Sequence, residues 1–227
     1  MPPSTPLTLI ALVAGVVYAL LALTLWLLLR RRHPRLPLAL WVSAALLSGL
    51  ALALVGLQGL HTWLPGWMSP GLAFHCLLAA MVLRILALRY ELGLPLRPPR
   101  ALAAWLLGAA VYQLSSLLPS PEAGSALSAM VLVATALVFA RHAVAVGQAL
   151  GSRIGHGLAA AESLLALAIA LRTVLTLLNW APAADIDNPW DLATAIALVV
   201  LSALFGNLGY LGLVLGRSGA AEQAAIA

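Results

Sequence analysis

Residues 6–35 read PLTLIALVAGVVYALLALTLWLLLRRRHPR, and the fold class follows from this stretch. No residue from Pro6 to Leu29 is charged. Roughly 20 apolar residues carry a helix across about 30 Å of hydrocarbon, where only helices or closed barrels pair every backbone group. The run ends abruptly in Arg30, Arg31, Arg32, His33, Pro34 and Arg35. A secretory signal peptide opens on a basic leader and has a shorter apolar core. This stretch lacks that leader and is too long, so it is expected to stay in the membrane with its basic end inside.

The rest of the 227-residue chain repeats the pattern. It is 63% apolar and 8% charged, with a mean hydropathy of +1.03, whereas about a quarter of a soluble domain's residues are charged. Lipid must solvate it. Apolar runs predict seven helices, near 6–29, 37–59, 70–90, 101–118, 124–147, 157–179 and 190–216. Barrel strands alternate over about ten residues, while Leu, Ala and Val here continue through whole spans. The expected architecture is an all-α integral membrane protein, a seven-transmembrane-helix bundle over 1–217 with a short tail over 218–227.

Arginine orients it. After the first cluster, Arg89, Arg97 and Arg100 fall in one connection, Arg141 and Arg153 flank another, and Arg217 closes the seventh helix; Glu122, Asp185, Asp187 and Asp191 occupy the opposite connections. Cytoplasmic loops are the basic ones, which places the N-terminus outside and the C-terminus in the cytoplasm. Trp63, Trp67, Trp180 and Trp190 read as an outer aromatic belt and Trp26, Trp41 and Trp105 as an inner one, since indole favours the interface. The net charge of +5 does not point to nucleic acid, because the arginines sit at helix ends rather than along one face. A lone Cys76 excludes a disulfide framework. A short echo, Leu38-Ala39 with Trp41 against Leu102-Ala103 with Trp105, admits either duplication or chance.

Ionisable groups within spans are the usual pointers to function, because lipid makes them costly. Glu162 shares its depth with Arg84 and Arg141, so an inner ion pair or small network is expected, either as a bridge that fixes packing or as a protonatable switch. Arg172, ten residues beyond Glu162, either snorkels or pairs with Asp191, or anchors an outward-facing pocket for an anionic ligand flanked by His75, Gln113 and Trp190. Guanidinium suits a carboxylate or phosphate because it donates two parallel hydrogen bonds. Gly206, Gly209, Gly212 and Gly216 recur every three or four residues and read as one smooth face, for close packing or for sliding.

Other chemistries find little support. His75 and His142 lie at unmatched depths; His61 and His75 share the outer boundary, but no zinc or haem spacing accompanies them. No metal or cofactor is expected. The Asn179–Asp191 segment holds three carboxylates without the glycine turn of a calcium loop. Absence of Lys rules out a retinal Schiff base. No nucleophile with a base, and no carboxylate pair, points to hydrolysis.

Several segments together resemble the multi-helix amino-terminal sensor regions of bacterial diguanylate cyclases and sensor histidine kinases. They are the Arg30–Arg35 helix end, Leu40-Trp41, Gly56-Leu57-Gln58-Gly59 before Leu64-Pro65, Leu88-Arg89-Tyr90-Glu91-Leu92-Gly93 followed by Pro98-Pro99, Ala170-Leu171-Arg172, and Asn207-Leu208-Gly209-Tyr210 leading to Leu215-Gly216-Arg217. The resemblance implies a sensory input domain in the bacterial inner membrane. Its last helix would drive a cytoplasmic kinase or cyclase in cis, as a homodimer; the chain departs from that pattern by stopping near Ala227. The alternatives are a small transporter built from three-helix repeats around a linker helix, and a membrane scaffold or haem- or metal-binding subunit.

Overall fold

Seven helices make up the computed structural model, which describes residues 5–31, 33–60, 70–180 and 189–226. They are α1 (Thr5–Leu29), α2 (Arg35–Leu60), α3 (Pro70–Glu91), α4 (Pro98–Ser115), α5 (Pro121–Ala149), α6 (Arg153–Leu177) and α7 (Pro189–Ile226). No strand occurs among the described residues. Six of the helices are long and apolar enough to cross a membrane. The exception is α4, which has 18 residues, or about 27 Å at 1.5 Å per residue, and begins on Pro98, Pro99 and Arg100.

Local chemistry sets the helix ends. Ser120 caps α5 by accepting from the Ala123 amide, with Pro121 in the first turn, and Ser152 caps α6 by accepting from Ile154; each side chain satisfies an amide that has no partner within its own helix. Three helices stop at a left-handed residue, Gly93 after α3, Gly151 after α5 and Asn179 after α6. At each, the next amide bonds back to the carbonyl five residues earlier: Leu94 to Arg89, Ser152 to Gly147, Trp180 to Leu175. The starts of α4 and α6 therefore lie three and four residues before the expected ones, because Pro98 and Pro99 open α4 rather than precede it and Ser152 starts α6 directly after the turn. α7 runs past the expected end near 216 through an Ala-rich segment that favours helix.

Six helices form a closed ring in the order α1, α2, α3, α5, α6, α7, and α4 lies outside it, against α3 and α5 alone. Tyr112 of α4 stacks on Phe74 near the start of α3, Gly108 meets Leu78 and Val131, and Ala101 shares a cleft with Arg89 at the far end of α3. α4 thus runs antiparallel to both neighbours and along nearly the whole of α3. α1 and α7 run parallel, since Tyr18 bonds Val199 and His33 reaches Tyr210.

Two seams bring backbones into contact. A Cβ on Gly155 would lie 2.5 Å from the Gly147 Cα and 2.7 Å from the Ala143 carbonyl oxygen, locking α6 to α5. A Cβ on Gly15 would lie 2.7 Å from the Gly49 carbonyl oxygen, locking α1 to α2. Lipid offers no hydrophobic gain for helix association, so such close backbone packing supplies much of it. The main core, from Leu25 and Trp41 through Phe139 to Tyr210, fills the half of the ring nearer the arginine clusters.

Candidate functional site

A chain of polar side chains occupies the middle of the ring. Arg84 of α3 and Glu162 of α6, each with a side chain only 2% exposed, stand 3.9 Å apart. Ser202 of α7 bridges them, donating to Glu162 Oε1 at 2.8 Å and accepting from Arg84 Nη1 at 3.4 Å. The Arg84 guanidinium lies 5.7 Å from the centre of the Trp41 ring, within cation–π range. Gly206 borders this contact: a Cβ there would stand 3.6 Å from Arg84 Nη1 and 3.9 Å from the Trp41 ring, in ordinary van der Waals contact.

From Trp41 the chain continues toward the arginine-rich end. The Trp41 indole donates to Asn207 Oδ1 at 2.9 Å and stacks on Tyr210. Tyr210 donates to Glu91 Oε1 at 3.3 Å, and His33 Nε2 lies 2.8 Å from the same oxygen. Polar contacts and ring stacking therefore run from the middle of α6 to the junction of α1 and α2, through α3 and α7. The chain is incompletely satisfied. Arg84 Nε and Nη2, Glu162 Oε2 and Asn207 Nδ2 are buried and have no hydrogen-bond partner among the described residues. Buried polar atoms are paired in the great majority of cases, so the donor nitrogens on Arg84 and Asn207 and the acceptor oxygen on Glu162 remain open to a small polar group.

Of the residues expected to form the inner network, Arg84 and Glu162 meet. Arg141 does not join them; it is exposed on α5, because its helical phase carries it to the outside of the ring. His75 and Gln113 also meet, with Gln113 Nε2 3.1 Å from His75 Nε2. Arg172 stands on α6, whose backbone approaches α5 and α7 but not α3 or α4; it is partly buried and its carbonyl accepts from Thr176. Trp190 and Asp191 lie in the first turn of α7, but their side chains, like His61, Trp63 and Trp67, are outside the described residues. The helices that carry Arg172 and the His75–Gln113 pair are thus separated in the ring by α5.

The glycine face also divides. Gly206 faces the polar core, Gly209 faces Leu158, Gly212 faces Ile154, and Gly216 faces open space. Each three-residue step falls about 60° short of a full turn, so Gly206 and Gly212 point about 120° apart, and Gly216 lies one turn past the start of α6. Trp41 and Trp105 depart from the inner belt as well. Trp41 is fully buried, and the Trp105 indole donates to the His75 carbonyl at 3.2 Å, toward the opposite end.

Sequence reasoning passed over His33, Glu91, Ser202, Asn207 and Tyr210 as site residues. All five are polar or aromatic within or beside apolar runs, which was the available signal. No group of three metal-ligating side chains is present among the described residues. No family model, curated protein or solved structure matches the chain.

Proposed function

We propose that this chain is a sensory input domain of a bacterial inner membrane, with seven spans, the N-terminus outside and the C-terminus inside. The carrying observation is that Ser202, Asn207 and Tyr210 of α7 hold the buried groups of α6, α2 and α3, and that the same helix continues unbroken to Ile226. Any change in protonation or contact at Arg84 and Glu162 acts directly on α7, which carries the displacement toward the arginine-rich end and to a kinase or cyclase output in cis. Residues from four of the segments that resemble sensor regions, His33, Trp41, Glu91 and the Asn207/Tyr210 pair, converge in this chain of contacts. The seven-span reading is supported by α4, which runs antiparallel between α3 and α5 despite its modest length. Kinase and cyclase outputs work as pairs, so the functional unit is a homodimer.

A reporter output fused after Ala227 tests this. Glu162→Gln should hold the reporter at one fixed level when variant and parent are compared at equal amounts of membrane-inserted protein. Reporter activity identical to the parent in both Glu162→Gln and Gly209→Leu would reject the reading.

A small-solute or proton transporter is the second reading, favoured by the open donors and acceptor around an intramembrane ion pair. Proteoliposomes separate the two: a transporter moves solute or protons in them, and an input domain does not.

A further inference from the structure

At the arginine-rich end, outside the ring, α3, α4 and α5 enclose a cleft of about 230 Å³. Its mouth carries Arg89, Arg97 and Arg100 with His142, and its inner part is apolar, running between Leu86 and Val138. Along α3 the lining extends from Arg89 to Val82, about 10 Å of helix. The mouth is built by the backbone. The left-handed turn at Gly93 ends α3, Arg89 Nη2 donates to the Pro95 carbonyl at 2.9 Å, and Arg97 holds a left-handed conformation with φ of 49° at the start of α4. The positive end of the α4 dipole adds to the same mouth.

Three guanidiniums here have no carboxylate partner among the described residues. Glu91, the nearest carboxylate in sequence, binds His33 and Tyr210. His142 gives its Nδ1–H to the Val138 carbonyl at 2.8 Å, which leaves Nε2 for the cleft. Uncompensated like charges gathered over an apolar groove call for a ligand that is anionic at one end and apolar at the other. In a chain whose neighbours are lipids, one occupant meets both demands.

We propose that this cleft is a binding site for an anionic glycerophospholipid, whose phosphate is held by Arg89, Arg97 and Arg100 and whose acyl chain enters the groove between α3, α4 and α5. Basic clefts between transmembrane helices are suited to anionic headgroups, and guanidinium binds phosphate through paired hydrogen bonds. The site goes beyond the signalling reading and requires only that the helices lie in a bilayer. Its lipid ties α4, which packs against α3 and α5, to the ring at the arginine-rich end.

The test is native mass spectrometry of the delipidated full chain, titrated with phosphatidylglycerol, phosphatidylcholine of the same acyl composition, or inorganic phosphate. Phosphatidylglycerol should bind more tightly than phosphatidylcholine, and Arg97→Gln with Arg100→Gln should weaken it about thirty-fold. Both side chains are exposed, so the variant keeps its fold, which its elution profile checks. Arg153→Gln, an exposed arginine at the same end outside the cleft, should leave binding unchanged. Equal binding of the two lipids, or equal losses in the double variant and Arg153→Gln, would overturn the proposal. Displacement of phosphatidylglycerol by millimolar inorganic phosphate would also overturn it, marking a site for free anions.

Discussion

The Trp41 indole lies face to face with the Tyr210 ring, their centroids 4.2 Å apart and their planes within 6°. The stack joins two buried polar groups that have no direct contact. On one side Arg84 rests over Trp41; on the other Tyr210 donates to Glu91 beside His33. α2 and α7 are thus coupled through their rings at the place where the core passes from the middle of the ring to its arginine-rich end.

Trp41→Ala removes a fully buried side chain, its hydrogen bond to Asn207 and its cation–π contact. The expected loss is about 3–5 kcal/mol. Trp41→Phe keeps a ring in place but orphans Asn207 Oδ1, for about 1–3 kcal/mol. Denaturation of the detergent-solubilised protein measures both, and a loss for the alanine variant no larger than for phenylalanine would contradict the stack's importance.

Replacing either member of the Arg84–Glu162 pair leaves the other charge buried, at a cost of about 3–5 kcal/mol. Arg84→Met and Glu162→Leu together should recover much of that loss, because neither desolvated charge remains. Thermal unfolding of the two single variants and the double variant shows whether the effects are compensatory; simple additivity would argue against a coupled pair.

Gly155→Ala should force α5 and α6 apart, since its Cβ meets only backbone, at Gly147 and Ala143. A loss of about 1–3 kcal/mol is expected, in the range of overpacked cores. Gly216→Ala meets nothing within 4 Å and should be neutral or slightly stabilising through helix propensity. Parallel unfolding curves provide the comparison, and equal effects at the two positions would show that the seam is not closed as described.

Single cysteines at Leu94 and Leu118, in a Cys76→Ala background, place labels at the two ends of α4. Both positions are exposed. A membrane-impermeant maleimide applied to intact cells should label Leu118→Cys and spare Leu94→Cys if α4 crosses the bilayer. Labelling of both or neither from outside would place the ends of α4 on one side and leave six spans.

The helices were readable because membrane insertion is decided locally. An apolar run of sufficient length forms a helix in lipid whatever lies beside it, and the expected boundaries fall within four residues of those found, except where α7 continues. The polar core was half readable. Glu162 and Arg84 are charged at comparable depth, which is a local property; that Arg84 rather than Arg141 faces Glu162 depends on helical phase, which is not. Gly206 to Gly216 show the same limit, since a regular spacing did not reveal where α6 begins beneath them.

The sequence by itself therefore determined that the chain is a bundle of membrane helices and where they begin, and its arginines set the expectation for which way they point. Only the tertiary structure decided which faces turn inward: Trp41 leaves the interface for the core, His33 reaches Glu91, and α4 sits outside a six-helix ring. The reason is the solvent. In water an apolar stripe betrays the buried side of a helix, but hydrocarbon is as apolar as a protein interior. A lipid-facing leucine and a core leucine then look alike, and the inward face is chosen by glycine contacts, ring stacking and hydrogen bonds between residues far apart in the chain.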